Sequence, residues 1–105
     1  MTYVLKNPKS KVATPIILNY YFDGKRFKLS TGESVHPDDW NERKQRPRAT
    51  VFGYASMVKL LDRLEVKIKE VHLEMKANMV YVTPDILRSE LHRSMGRPVG
   101  KKENL

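Results

Sequence analysis

The sequence predicts an α+β fold: a three-stranded antiparallel sheet packed on helix, with a long C-terminal helix and a second, shorter one. Three observations carry this. Two β-type runs, 15–22 and 25–31, flank the pair Asp23-Gly24. Asp-Gly is favoured in two-residue type I′ hairpins, whose central residues both need positive φ. Met57, Leu61, Leu64, Ile68, Val71 and Met75 recur at alternating spacings of four and three, which places them on one stripe of a helix. Thr83-Pro84-Asp85 then reads as a helix start, with a capping hydroxyl, a proline at the first position and an acid at the positive end of the dipole.

In chain order, 2–6 is a short β-type run, followed by the turn-rich basic loop Asn7-Pro8-Lys9-Ser10-Lys11. Run 15–22, rich in Ile, Leu, Tyr and Phe, is the strongest strand. Gly32 is expected to end the third strand, and Pro37-Asp38-Asp39-Trp40-Asn41 to form the first turn of a short helix. Residues 45–50 form a polar, basic connection containing Pro47. The long helix covers about 55–78, its apolar surface broadened by Val58, Leu60, Val66 and Leu73. The shorter helix ends near Met95, with Ile86, Leu87 and Leu91 on one side. Three units are expected: the sheet and Pro-x-x-Trp turn (1–53), a helical connector (54–95) and a flexible tail (96–105).

A chain of 105 residues suits one small domain and excludes a large enzyme fold. At 40% hydrophobic and 30% charged residues it has a globular balance. Its net charge of +8 favours polyanions, nucleic acid first and an anionic membrane surface second. The excess is tilted forward. Residues 1–53 hold ten Lys/Arg against five Asp/Glu, whereas 54–105 hold ten against seven. The absence of cysteine removes disulfides, thiolate zinc sites and cysteine nucleophiles, and fits a reducing cytoplasm. No apolar run is long enough to span a membrane and no signal-peptide core opens the chain, so a soluble cytoplasmic protein is expected.

A two-residue turn fixes the hairpin register. Phe22 should pair with Lys25, Tyr21 with Arg26, Tyr20 with Phe27, Asn19 with Lys28, Leu18 with Leu29 and Ile17 with Ser30. Alternation then puts Ile16, Leu18, Tyr20, Phe22, Phe27 and Leu29 on an apolar face that needs a helix against it. Asn19, Tyr21, Arg26, Lys28 and Ser30 share the other face, with Ile17 its one apolar member. Those side chains suit duplex DNA: Arg and Lys for guanine edges or phosphates, Asn for an adenine edge, Tyr and Ser for phosphate or sugar oxygens. Lys6, Lys9 and Lys11 would add phosphate contacts. Solvated sheet faces also carry Lys and Arg, so residue type alone leaves both readings open.

Thr14-Pro15-Ile16-Ile17-Leu18, then the segment from Asp23 through Gly24-Lys25-Arg26-Phe27-Lys28-Leu29-Ser30-Thr31 to Gly32, then Val35-His36-Pro37-Asp38-Asp39-Trp40-Asn41 and the basic Arg43-Lys44-Gln45-Arg46, come in a telling order. Over roughly the first 95 residues the chain resembles the N-terminal arm-binding domain of phage-integrase-type tyrosine recombinases, in the version common in Bacteroides and their mobile elements. The resemblance implies a three-stranded sheet whose polar face enters the major groove of arm-type sites. By position, Asn19, Tyr21, Arg26, Lys28 and Ser30 would face the groove. It also implies a non-catalytic module whose partners are double-stranded DNA, the parent's downstream domains and other integrase subunits. Whole recombinases continue into core-binding and catalytic domains. The chain stops where those would start, which suggests an excised fragment or a stand-alone relative.

Other chemistry finds little support. Trp40 reads as a core plug. His36, His72 and His92 lack metal-ligand spacing. Asp38, Asp39 and Glu42 sit where a helix start favours acids. Gly96-x-x-x-Gly100-Lys101 is one residue short of a phosphate loop and lacks its following Ser/Thr. No cofactor or small-molecule substrate is expected. The alternative function is a protein-interaction module, with the stripe of the long helix as a coiled-coil seam for self-association or partner docking. Like-charge pairs Lys59/Arg63 and Glu70/Glu74 oppose a self-supporting helix there. RNA binding ranks third, because most of the aromatics fall on the core face.

Overall fold

A computed structural model describes residues 1–94. Strands β1 (Thr2–Leu5), β2 (Thr14–Phe22) and β3 (Lys25–Val35) form an antiparallel sheet in the order β1-β2-β3. A 3₁₀ turn (Pro37–Asp39) leads to a two-stranded ribbon of β4 (Trp40–Asn41) and β5 (Arg46–Pro47). Helices α1 (Tyr54–Ala77) and α2 (Pro84–Ser94) complete the α+β fold. The tail 96–105, Met95 and the glycine motif around Gly100 lie outside the described residues.

The hairpin register is the one the turn dictates, from Phe22↔Lys25 through Ile17↔Ser30. Asp23 and Gly24 take φ of 49° and 72°, the left-handed pair of a type I′ turn. The third strand does not end at Gly32. At φ 84° Gly32 forms a bulge that shifts the register between Pro15 and Ile17, and pairing resumes at Pro15↔Ser34 and Thr14↔Val35. The Thr31 hydroxyl donates to the Ile16 carbonyl across the bulge.

After Pro37-Asp38-Asp39 the expected helix does not develop. Trp40 takes extended backbone and pairs with Pro47, making 46–47 a strand rather than a plain connection. The turn is capped by the His36 ring, which accepts from the Asp38 amide, and Arg48 donates from its backbone N and Nε to the Asp39 and Asp38 carbonyls.

The stripe of α1 faces the sheet. Leu61, Leu64, Ile68, Val71 and Met75 are buried with Tyr3, Leu5, Ile16, Leu18, Phe22, Phe27 and Leu29, while Met57 and Tyr20 pack partly buried against them. Trp40 plugs the same core, and Leu87 and Leu91 of α2 close it. Arg88 of α2 lies over the Phe27 ring. The core therefore runs across the expected boundary at 53/54. The stripe considered as an external coiled-coil seam is spent on the chain's own sheet.

Helix α1 ends in a Schellman arrangement: the Val80 amide donates to the Met75 carbonyl and the Met79 amide to that of Lys76, with Met79 at φ 63°. Helix α2 begins with the Thr83 hydroxyl accepting from the Ile86 amide, the expected cap.

Candidate nucleic-acid interface

Alternation along three registered strands builds a small grid on the face turned away from the helices. Tyr21 and Arg26 form one row, Thr2, Asn19 and Lys28 the next, and Val4, Ile17 and Ser30 a third. Neighbouring strands stand about 4.8 Å apart and successive rows about 7 Å apart. The outer two strands are thus about 10 Å apart, within the width of a B-DNA major groove, about 12 Å. No carboxylate occupies these positions.

Tyr21, Arg26, Lys28 and Ser30 are exposed on this face. Asn19 shares it but is only 8% exposed, because the middle strand is shaded by Thr2 and Lys28 on either side. Among the described residues its Oδ1 is buried without a hydrogen-bond partner. The sequence placed Asn19 on the correct face but could not see this shading, which follows from β1 lying beside β2. Thr2 and Val4 are the members sequence reasoning missed. The signal was present, since Tyr3 and Leu5 point to the core and Thr2 and Val4 therefore point away. Without a tight turn between β1 and β2, however, no register could be written.

Lys6, Lys9 and Lys11 are exposed in and beside the β1–β2 loop. Their backbone is held by the Asn7 amide donating to the Thr14 hydroxyl, the Lys9 amide donating to the Asn7 side chain, and the Ser10 amide donating to the Asn7 carbonyl. No ion pair among the described residues involves Lys6, Lys9, Lys11, Arg26 or Lys28. Their charge is free to meet an external anion.

Arg46 is the opposite case. It belongs to the basic segment carried by the resemblance, yet its guanidinium is bonded to Asp62 at 2.8 Å and Glu65 at 3.0 Å and lies 4.8 Å from the centre of the Tyr3 ring. Burial disfavours its charge, but the two carboxylates outweigh that and raise its pKa. The neighbouring Gln45, at φ 56°, accepts the Tyr3 amide on the open edge of β1. The Tyr3 hydroxyl donates to the Leu61 carbonyl, and burial followed by the nearby Glu65 charge pushes its pKa up. This end of the basic segment holds β1, the ribbon and α1 together. Lys25 likewise turns from the outer face, its ammonium 4.9 Å from the Tyr81 ring centre.

The remaining perturbed groups lie behind the sheet. The Tyr20 hydroxyl and His72 Nδ1 are 2.6 Å apart, with the Phe22 ring against the imidazole. Burial, with a smaller contribution from Lys76, lowers the His72 pKa against the opposing pull of Asp23. Burial and then the Asp23 charge raise that of Tyr20. Among the described residues no group of three or more His, Asp or Glu side chains gathers to hold a metal ion. No described helix is long and apolar enough to cross a membrane.

A sheet face whose cations make no ion pair among the described residues, carried on a helical core, is the kind of surface a polyanion-binding module presents. The chain belongs to the Arm DNA-binding domain family, whose model matches residues 4–88. That family is the non-catalytic arm-type DNA-binding domain of integrases, so duplex DNA is the partner and recombination the setting. The match includes all of α1, consistent with the single core. No curated protein and no solved structure gives a significant match.

Proposed function

We propose that the outer face of β1–β3 enters the major groove of arm-type DNA sites and reads them in a sequence-specific manner. In this reading the chain serves as the N-terminal, non-catalytic domain of a tyrosine recombinase of the kind found in Bacteroides mobile elements. The parent's downstream domains and further integrase subunits are its protein partners. The observation that carries the proposal is the unpaired pair Arg26 and Lys28, set on alternate residues of one exposed strand face with no carboxylate beside them in the grid. Tyr21 and Ser30 flank them with hydroxyls for phosphate or sugar oxygens, and Lys6, Lys9 and Lys11 supply phosphate contacts at the β1–β2 end. Asn19 reaches an adenine edge once the side chains shading it are drawn to phosphates.

The test is duplex binding measured across salt concentrations. Log affinity should fall against log salt with a slope of about −0.9 per phosphate neutralised. Arg26→Ala should weaken binding by about 1–3 kcal/mol where its guanidinium meets a base, and Lys28→Ala should reduce the salt slope by about 0.9 as one phosphate contact is lost. Lys69→Ala, on an exposed position of α1, serves as the control. Unchanged affinity in the Arg26/Lys28 double variant removes the sheet face from the proposal.

A further inference from the structure

The third row of the outer face is unlike the other two. Val4 and Ile17 are registered partners on β1 and β2. Val4 is 44% exposed, while Ile17 is 6% exposed yet stands outside the helix-covered core cluster. Two branched aliphatic side chains thus make a small carbon surface on the face that otherwise presents hydroxyls, an amide and cations. Lys28 stands one row away across the sheet, and Lys6 continues β1 on the other side, its amide still bonded to the Pro15 carbonyl.

Resting on the groove-reading role of this face, we infer that Val4, backed by Ile17, is a recognition element for the 5-methyl group of a thymine. The cations flanking this row are the groups that phosphates on the groove rims would engage, which brings the carbon surface against the groove floor. The thymine 5-methyl is the one apolar substituent on the groove floor, while the guanine, adenine and cytosine edges are marked chiefly by hydrogen-bond donors and acceptors. Val4 has no donor or acceptor in its side chain. Against a guanine, cytosine or adenine edge it strips water from polar atoms without replacing the lost hydrogen bonds. Against thymine it removes a methyl from water at no such cost. Val4 therefore selects an A·T pair at one position of the site, and selects its orientation.

The experiment uses the full chain and a random-sequence duplex library. Each thymine of the enriched duplex is then replaced singly by deoxyuridine, which lacks only the methyl. Affinities are measured for the wild type, Val4→Ala, and Val66→Ala, which removes a still more exposed aliphatic group from α1. One deoxyuridine position should weaken wild-type binding about fourfold, the worth of one buried methyl. That sensitivity should persist in Val66→Ala and vanish in Val4→Ala. Val4→Gln, whose side chain carries no methyl, takes its place should the alanine variant melt. Wild-type affinity unchanged at every deoxyuridine position, or equal loss in Val4→Ala, overturns the inference while leaving groove binding standing. A library without enrichment, or an enriched duplex held as tightly by the Arg26/Lys28 double variant, overturns the groove reading itself and the inference with it.

Discussion

Arg46→Ala separates two roles that a basic segment can play. By composition Arg46 belongs with DNA-seeking cations, whereas its geometry makes it an internal staple. Its bond to Asp62 is partly open to solvent, with the Asp62 side chain 59% exposed, and contributes about 0.5 kcal/mol. Its bond to Glu65, whose side chain is 26% exposed, is better sheltered and contributes about 1 kcal/mol. Stacking on the Tyr3 ring adds about 0.5–1 kcal/mol. The expected destabilisation is about 2 kcal/mol. In urea, where a domain of this size has m of roughly 1 kcal/mol/M, the midpoint should fall by about 2 M with m unchanged. Arg46→Lys should recover part of the loss, since an ammonium keeps the charge but not the planar fork. The second readout is DNA. Under conditions where the variant remains folded, the slope of log affinity against log salt should equal the wild type's. A slope reduced by about 0.9, or a stability change below about 0.5 kcal/mol, refutes the assignment of Arg46 to structure.

Further outcomes follow from other sites. His72 has a folded pKa below its usual 6.5, so the unfolded chain binds the proton first. Its contribution to stability is complete above about pH 6.5 and is lost as pH falls through the folded value; urea midpoints across pH should show this, and His72→Leu should flatten it. Gly24→Ala adds a Cβ that meets nothing within 4 Å, so its cost is the positive φ of the turn alone, about 1 kcal/mol by thermal melting. Met79→Gly, at φ 63° with a side chain open to solvent, should stabilise by roughly 0.5–1 kcal/mol in urea and leave DNA affinity unchanged. Phe27→Ala removes a fully buried ring that α1 and α2 close over, and should cost about 3–5 kcal/mol by the same measurement.

Local chemistry made much of the fold legible. A two-residue Asp-Gly turn leaves little freedom of register, so six cross-strand pairs and both hairpin faces could be written from 17–30 alone. The stripe of α1 was legible for the same kind of reason, a period repeated over about five turns. Short elements were not. Trp40–Asn41 and Arg46–Pro47 are two residues each, too short for any period, and they pair because Trp40 is drawn into a core that the local sequence does not describe. Gly32 reads as a stop, but its positive φ creates a bulge when a partner strand continues alongside.

The sequence by itself determined the α+β class, the hairpin and its two faces, the helical stripe, and which exposed strand carries Arg26 and Lys28. These depend on turn stereochemistry and side-chain alternation, which act over a few residues. Only the tertiary structure decided that β1 adds Thr2 and Val4 to the outer face, that Asn19 is shaded there, and that Arg46 is consumed by Asp62 and Glu65. Each of these outcomes requires segments far apart in the chain to meet, and whether a charge is free or neutralised depends on which neighbours that meeting supplies.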